Sequence, residues 1–546
     1  MIRWPLAFVL IGLAAAAVVF DRVSTMPTVA IESRAELDVQ TPIMSDPPQL
    51  NSAWYCPAGS SSPGGFADHE VIIANLSESP AVANLTVLTG EGQGAGRRVE
   101  LEPQSTQEIA LSDSQESTVA GAVVEIIAGE GAVGHRVRTA QGVAEGPCAT
   151  AVSNEWIFAG GRTEVDSKQY LALMNPFPET AVFSVEFRTL ARRRQPQALQ
   201  GAFVPARSVR VIEVGEYISN ESSVATIVTT ERGRLVAERL QVLDGELGAE
   251  GAALQLGVAT PAPSWILPAG RIHSGGDHIL TVFNPAEPAT PVIGTDPETG
   301  EETVVEADDA NVAVIDIELW PNNPTDLSLY GVVTATREVR PGNFEVIDLG
   351  AQAARFGFPL PYELGVRVTS QNQMPIVVER WHVGEQLQER SVLLDTSDDE
   401  DDADSEDSDS AQGDFEIPVL GIDEEPLPQP IASTGLGTSR GVEQLSQRWV
   451  IPWVSIDGDS TTVAIAATEE AAVEVRVLAN GSFAGPFRVT VPAAGRRTVP
   501  LSVPGVEGGA VEIIADAPVA VEALVVVADQ RLDVVAAVPT VGRQVE

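Results

Sequence analysis

The side chains able to do chemistry are few in kind and patterned in place. Only five histidines occur. His69 and His278 each follow an aspartate, Asp68 and Asp277, and each lies shortly before an asparagine, Asn75 and Asn284. With His273, the later segment offers two imidazoles and a carboxylate, a donor set that suits a metal ion. Gln169 and Thr461 hold the equivalent place elsewhere. A polar residue at a strand entry is therefore the simpler reading, and no metal or cofactor is expected. There is no Gly-x-Ser-x-Gly elbow for a serine nucleophile. The glycine-rich stretches 90–96 and 435–441 lack the lysine and following helix of a phosphate loop. Carboxylates are abundant enough for a paired-carboxylate hydrolase by count alone. They fall mainly in loops, and small tandem sandwiches usually lack a deep cleft.

Charged neighbours inside β runs are more informative. Val236-Ala237-Glu238-Arg239-Leu240 and Val377-Val378-Glu379-Arg380-Trp381 carry adjacent Glu and Arg, and Val133-Gly134-His135-Arg136-Val137 is a looser copy. Neighbours on a strand face opposite sides. Both cannot point to water from a sheet buried on one face. One must pack its stem inward or at a domain boundary against a partner charge. Arg136, Arg239 and Arg380 are thus expected to latch one repeat to another. Arg192-Arg193-Arg194 is the only basic triplet and lies between strands. It reads as an exposed loop, with an anionic wall polymer, lipid headgroups or an acidic stretch of this chain as conceivable contacts.

These residues sit in a fourfold repeat. Four segments open on tryptophan: Trp54-Tyr55-Cys56-Pro57-Ala58-Gly59, Trp156-Ile157-Phe158-Ala159-Gly160-Gly161, Trp265-Ile266-Leu267-Pro268-Ala269-Gly270 and Trp449-Val450-Ile451-Pro452. An apolar strand then runs into Asn75, Asn175-Pro176 or Asn284-Pro285, with Ala467-Thr468 in the fourth copy. Alternating runs follow, such as Val473-Glu474-Val475-Arg476-Val477, with the period of a half-buried strand. Landmarks recurring in one order about every hundred residues define a repeat. Short strands between turn residues predict an all-β chain of four tandem immunoglobulin-like β-sandwiches. A propeller is the rival, but its blades of about 40–50 residues would need a half-period that is not seen. The expected boundaries are 53–150, 153–260, 263–445 and 447–541. The third repeat is lengthened by an acidic insert at 395–430 that includes Asp398-Asp399-Glu400-Asp401-Asp402, read as solvated and disordered.

Composition sets the compartment and excludes one partner class. Hydrophobic residues make up 44 %, so the bulk is globular. Acidic residues number 77 against 33 basic ones, a formal net charge of −44. Nucleic acid would be repelled, because binding it relies on Lys and Arg displacing counterions. An apolar run from Pro5 to Phe20 lies between Arg3 and Arg22. It is read as an uncleaved signal anchor over 1–22, followed by an extracytoplasmic linker over 23–52. The only two cysteines, Cys56 and Cys148, bracket the first repeat. In an oxidising compartment they are expected to form one disulfide, worth about 4–5 kcal/mol for a loop of that length in the chain-entropy model. No thiolate is then left for a Cys-His pair.

The Trp-Tyr-Cys-Pro-Ala-Gly opening, the Asn-Pro strand ends and the Val-Val-Glu-Arg-Trp ending resemble a family of uncharacterised exported actinobacterial proteins. These carry a domain of unknown function behind one N-terminal hydrophobic segment. The resemblance spans about Trp54 to Val541 and implies location and domain type, with no activity. The expected role is a non-enzymatic cell-envelope scaffold or adhesion-type array, single-pass in the cell membrane, facing an envelope protein or polysaccharide. An accessory subunit of a membrane-bound envelope-assembly complex is the alternative, and a wall-polymer hydrolase the third.

Overall fold

Among the described residues, stretches of alternating character form strands. In Ala471–Ala479 the valines point inward while Ala472, Glu474 and Arg476 do not. In Ala181–Thr189 Phe183, Val185 and Phe187 are buried. The structure, a computed structural model, describes residues 44–45, 52–246, 249–272, 278–288, 292–295, 302–305, 311–322, 325, 328–329, 331–359, 362–383, 433–455, 461–479, 481–506, 508–526, 532–536 and 538–541. The expected anchor at 1–22 and acidic insert at 395–430 lie outside these residues. Among the described residues, no helix is long and apolar enough to cross a membrane.

The first repeat shows the unit. One sheet runs Ser52–Cys56, Ala120–Ala128, Ala81–Thr89, Gly92–Leu101; the other runs Ser105–Ala110, Asp68–Asn75, Gly131–Thr139, Gly142–Pro147. All neighbours are antiparallel. Trp54, Val71, Ile73, Leu85, Val124 and Val133 fill the space between the sheets. The second and third repeats follow the same order, with Ser167–Asn175 beside Val236–Asp244 and His278–Phe283 beside Val377–Val383. In the fourth, the long strand Gly508–Val526 serves both sheets, pairing with Ser446–Ser455 and Ala471–Ala479 in one and with Thr461–Ala467 and Leu532–Ala536 in the other.

The edge order differs from that of an immunoglobulin domain. There the second strand lies between the first and fifth, and the sixth between the third and seventh. Here the second–fifth and third–sixth pairings are kept, but the seventh strand lies beside the second and the first beside the sixth. The reason is the last hairpin, Gly131–Thr139 to Gly142–Pro147. It stays in one sheet and carries the eighth strand to that sheet's free edge.

Those eighth strands meet. Gly142–Pro147, Ala249–Leu256, Leu436–Ser439 and Leu532–Ala536 touch in cyclic succession. Small residues allow the approach: a Cβ on Gly251 would lie 2.5 Å from the Leu436 amide nitrogen. Each core also takes residues from the preceding repeat. Leu88 and Ala149 join the second core, Ile157, Ala225 and Val258 the third, Ile266, Trp320 and Val442 the fourth, and Val450, Leu478 and Ala510 the first. The four repeats therefore close into a ring. Thr41–Glu546 forms one compact unit, in place of separate domains on a string. Within the stretch read as a linker, Met44–Ser45 pairs in parallel with the chain's last strand, Val538–Val541. Closure also explains why Val236–Asp244 and Val377–Val383 are buried along nearly their whole length, where sequence alternation suggests sheets wet on one face.

Candidate functional site

The repeated residues converge on the seams between repeats. Each tryptophan is buried in its own sandwich. The indole N–H of Trp156, Trp265 and Trp449 donates to the carbonyl of Leu235, Ile376 and Val519, each 2.9 Å away. Trp54 instead donates to Ser52 Oγ at 3.2 Å. The indole thus pins the first strand of its repeat to the entry of the sixth-to-seventh hairpin. The asparagines tie two turns together: Asn284 Nδ2 donates to the Asn311 and Val339 carbonyls at 2.7 and 3.0 Å.

The Ala-Gly that follows three of the tryptophans has its own task. At the seam between the second and third repeats, the amides of Ala159 and Gly160 donate to Glu379 Oε1 and Oε2, both at 2.8 Å. Arg239 Nη1 donates to the same carboxylate at 3.0 Å, and its guanidinium lies over the Phe158 and Trp381 rings. Arg239 Nη2 donates to Gln255 Oε1 at 3.1 Å. At the next seam the Ala269 amide donates to Glu522 Oε2 at 2.9 Å, and Arg380 Nη2 to the same oxygen at 3.1 Å. Ser439 Oγ bonds the other oxygen. One glutamate from each following repeat is therefore bolted by backbone amides and by an arginine of the repeat before it.

At the first seam a histidine meets the glutamate in the arginine's place. The Ala58 amide donates to Glu238 Oε2 at 3.1 Å, while His135 Nε2 lies 2.9 Å from Glu238 Oε1. Arg136 turns to the opposite face. It meets Glu145 at 2.6 Å, Glu108 at 2.8 Å and Glu70 at 3.2 Å, and lies over the Trp453 ring of the fourth repeat.

Burial dominates the electrostatics. Arg136, Arg239 and Arg380 are 7 %, 0 % and 1 % exposed. Burial pushes the Glu379 carboxyl up, against the opposing pull of Arg239 and the two amides. Burial also lowers Arg380, and Glu522 opposes that. For Arg136 burial pulls down, but Glu145 and Glu108 more than offset it, so the guanidinium is held above its ordinary value. His69 is held down at about 3 by burial and then by neighbouring His135, and so is neutral.

Arg239 and Arg380 latch successive repeats as expected, whereas Arg136 makes its ion pairs within its own repeat because His135 takes the seam-facing place. Cys56 and Cys148 form a disulfide closing a 92-residue separation. The basic triplet is exposed at Arg192 and Arg193, as expected, and Arg193 meets Glu186 and, at 3.5 Å, Glu287 of the third repeat. Sequence reasoning missed the amide donors. The signal was the Ala-Gly recurrence, present in exactly those repeats that a glutamate-bearing repeat follows. His273 and Asp277 lie outside the described residues, and among those described no group of three or more His, Cys, Asp or Glu is placed to hold a metal.

Residues 136–312 match the model of DUF5719, a family of unknown function. The match runs from the last hairpin of the first repeat, through the whole second repeat, into the third. It includes Glu238 and Arg239. No curated protein matches in sequence. Among solved structures, the crystal structure of a tetra-tandem repeat in the extending region of a large adhesion protein aligns over 89 % of this chain and 99 % of its own. The sequence identity is 8 % and the TM-score 0.09.

Proposed function

We propose that this chain is a non-enzymatic, extracytoplasmic scaffold of the cell envelope, held to the membrane by its N-terminal apolar segment. Its four sandwiches present one fixed outer surface to an envelope protein or polysaccharide. The observation that carries this reading is the use made of the buried charge. Glu238, Glu379 and Glu522 are each taken up in joining one repeat to the next. Carboxylates so held serve rigidity, not proton transfer to a substrate. A rigid body keeps its surface loops at fixed spacing, which lets weak contacts act together. The buried Cys56–Cys148 bond supports an oxidising compartment.

The surface offers places to look for a partner. Leu190 and Phe203 on the second repeat are 67 % and 58 % exposed. Photo-crosslinking side chains placed there in the full chain, in intact cells of the native host, should capture an envelope component. Added protease should reach the chain once the wall is stripped. Capture of cytoplasmic proteins alone, or complete protection from protease with the membrane intact, would refute the reading.

A further inference from the structure

The first seam differs from the two that follow in the residue that meets its glutamate. Its hydrogen positions follow from its partners. The Ala120 carbonyl can only accept, so the 2.9 Å contact requires a proton on His69 Nδ1. A neutral His69 then presents a lone pair at Nε2. His135 Nδ1, 3.0 Å away, must donate to it. This leaves His135 Nε2 facing Glu238 Oε1 at 2.9 Å. Two lone pairs cannot meet at that distance, so one proton lies between them, on either atom. Glu238 Oε2 is already occupied by the Ala58 amide. His69, His135 and Glu238 are all at most 2 % exposed, and no solvent competes for the proton.

We propose that the seam between the first and second repeats is closed by a single exchangeable proton shared by His135 and Glu238, and that loss of this proton loosens the seam. Arg239 and Arg380 do the corresponding work at the next two seams, and a guanidinium does not deprotonate in a protein. The ionisable groups facing His135 are His69, from Asp68–Asn75, and Glu238, from Val236–Asp244. Opposite it on Gly142–Pro147 stands Gly146. Its chain neighbour Arg136 points to the other face, where Glu145, Glu108 and Glu70 hold it. The sign is fixed by the geometry. The joined state needs a proton between His135 Nε2 and Glu238 Oε1 and the parted state does not, so the joint is firm at lower pH and weakens as pH rises.

Hydrogen exchange of the full chain at pH 6 and pH 9, corrected for the intrinsic chemical rate, tests this. Gly131–Thr139 and Val236–Asp244 should lose protection at the higher pH. Thr461–Ala467, beside the Arg380–Glu522 seam, is the internal reference and should not. Glu238→Gln should abolish the response, because its amide can donate to His135 Nε2 and its oxygen can accept from Ala58 without a titrating proton. His135→Gln is the second variant and should flatten the profile as well. Equal loss at both seams in the unmodified chain, or an undiminished response in either variant, would overturn the proposal.

Discussion

The seam between the second and third repeats and the seam between the fourth and first are built from different materials. The former rests on a buried carboxylate, Glu379, held by two amides and Arg239. The latter has lost the charged parts of that device. His135 stands where the glutamate would be, and Ala523 where the arginine would be. What remains is the apolar insertion that every seam shares, here Val450, Leu478 and Ala510 in the first repeat's core, with Pro452 packed on Gly134 and Arg448 bridging Glu130 and Glu512. Successive repeats are thus joined by directional, charged contacts. The fourth and first repeats are joined by apolar contact, tolerant of small shifts, with a partly exposed ion pair beside it. A buried ion pair needs good geometry to offset its desolvation, and a covalently consecutive repeat is delivered near that geometry by its linker.

The largest test of this contrast is Glu379→Ala. It strands a fully buried Arg239 and two amides, and should cost about 3–5 kcal/mol. A chemical denaturation series would show a lower midpoint. An unchanged midpoint would mean that the bolt adds nothing to joining the repeats. Replacing Glu379 and Arg239 together by apolar residues of similar volume should instead be neutral or stabilising by up to about 4 kcal/mol. If the double variant remains as destabilised as the single, the damage comes from the lost amide acceptor, not from the unpaired charge.

Gly270→Ala comes next. A Cβ there would lie 2.7 Å from the Leu364 carbonyl, beside the Ala269 amide that serves Glu522. Overpacking of this kind costs about 1–3 kcal/mol. The thermal midpoint should fall, and exchange should rise in Val377–Val383. A shift confined to the fourth repeat's outer hairpin would place the strain elsewhere.

The unit was legible in the sequence, and the ring was not. Alternation at Val473–Val477 and the buried tryptophans mark strands and cores because burial on one face leaves a period of two. The Glu238-Arg239 and Glu379-Arg380 pairs announced a boundary contact, since neither side of a strand can carry an unpaired buried charge. What they meet was hidden, because the donors at Ala58, Ala159 and Ala269 are backbone amides, identical in every residue but proline. Closure was hidden for a different reason. Val450, Leu478 and Ala510 look like any core residue, and only their placement shows that the core belongs to the other end of the chain. The edge order was illegible too, because a strand's own alternation does not say which sheet its hairpin joins.

The smallest effect belongs to the closing seam. Arg448 and Glu130 have side chains 24 % and 21 % exposed, and Arg448 is held above its ordinary value by Glu130 and Glu512 acting against burial. Glu512 keeps a second partner, Arg476. Arg448→Ala should therefore cost no more than about 1 kcal/mol, as partly exposed pairs do. The apolar contacts would still close the ring. Substituting Leu478 by alanine as well should cost about 2–5 kcal/mol further, and exchange in Gly142–Pro147 should then exceed that in Ala249–Leu256. A large loss from Arg448→Ala alone would show that charge closes this seam after all. The contrast between consecutive and terminal joints would then reduce to a choice of residues for one common mechanism.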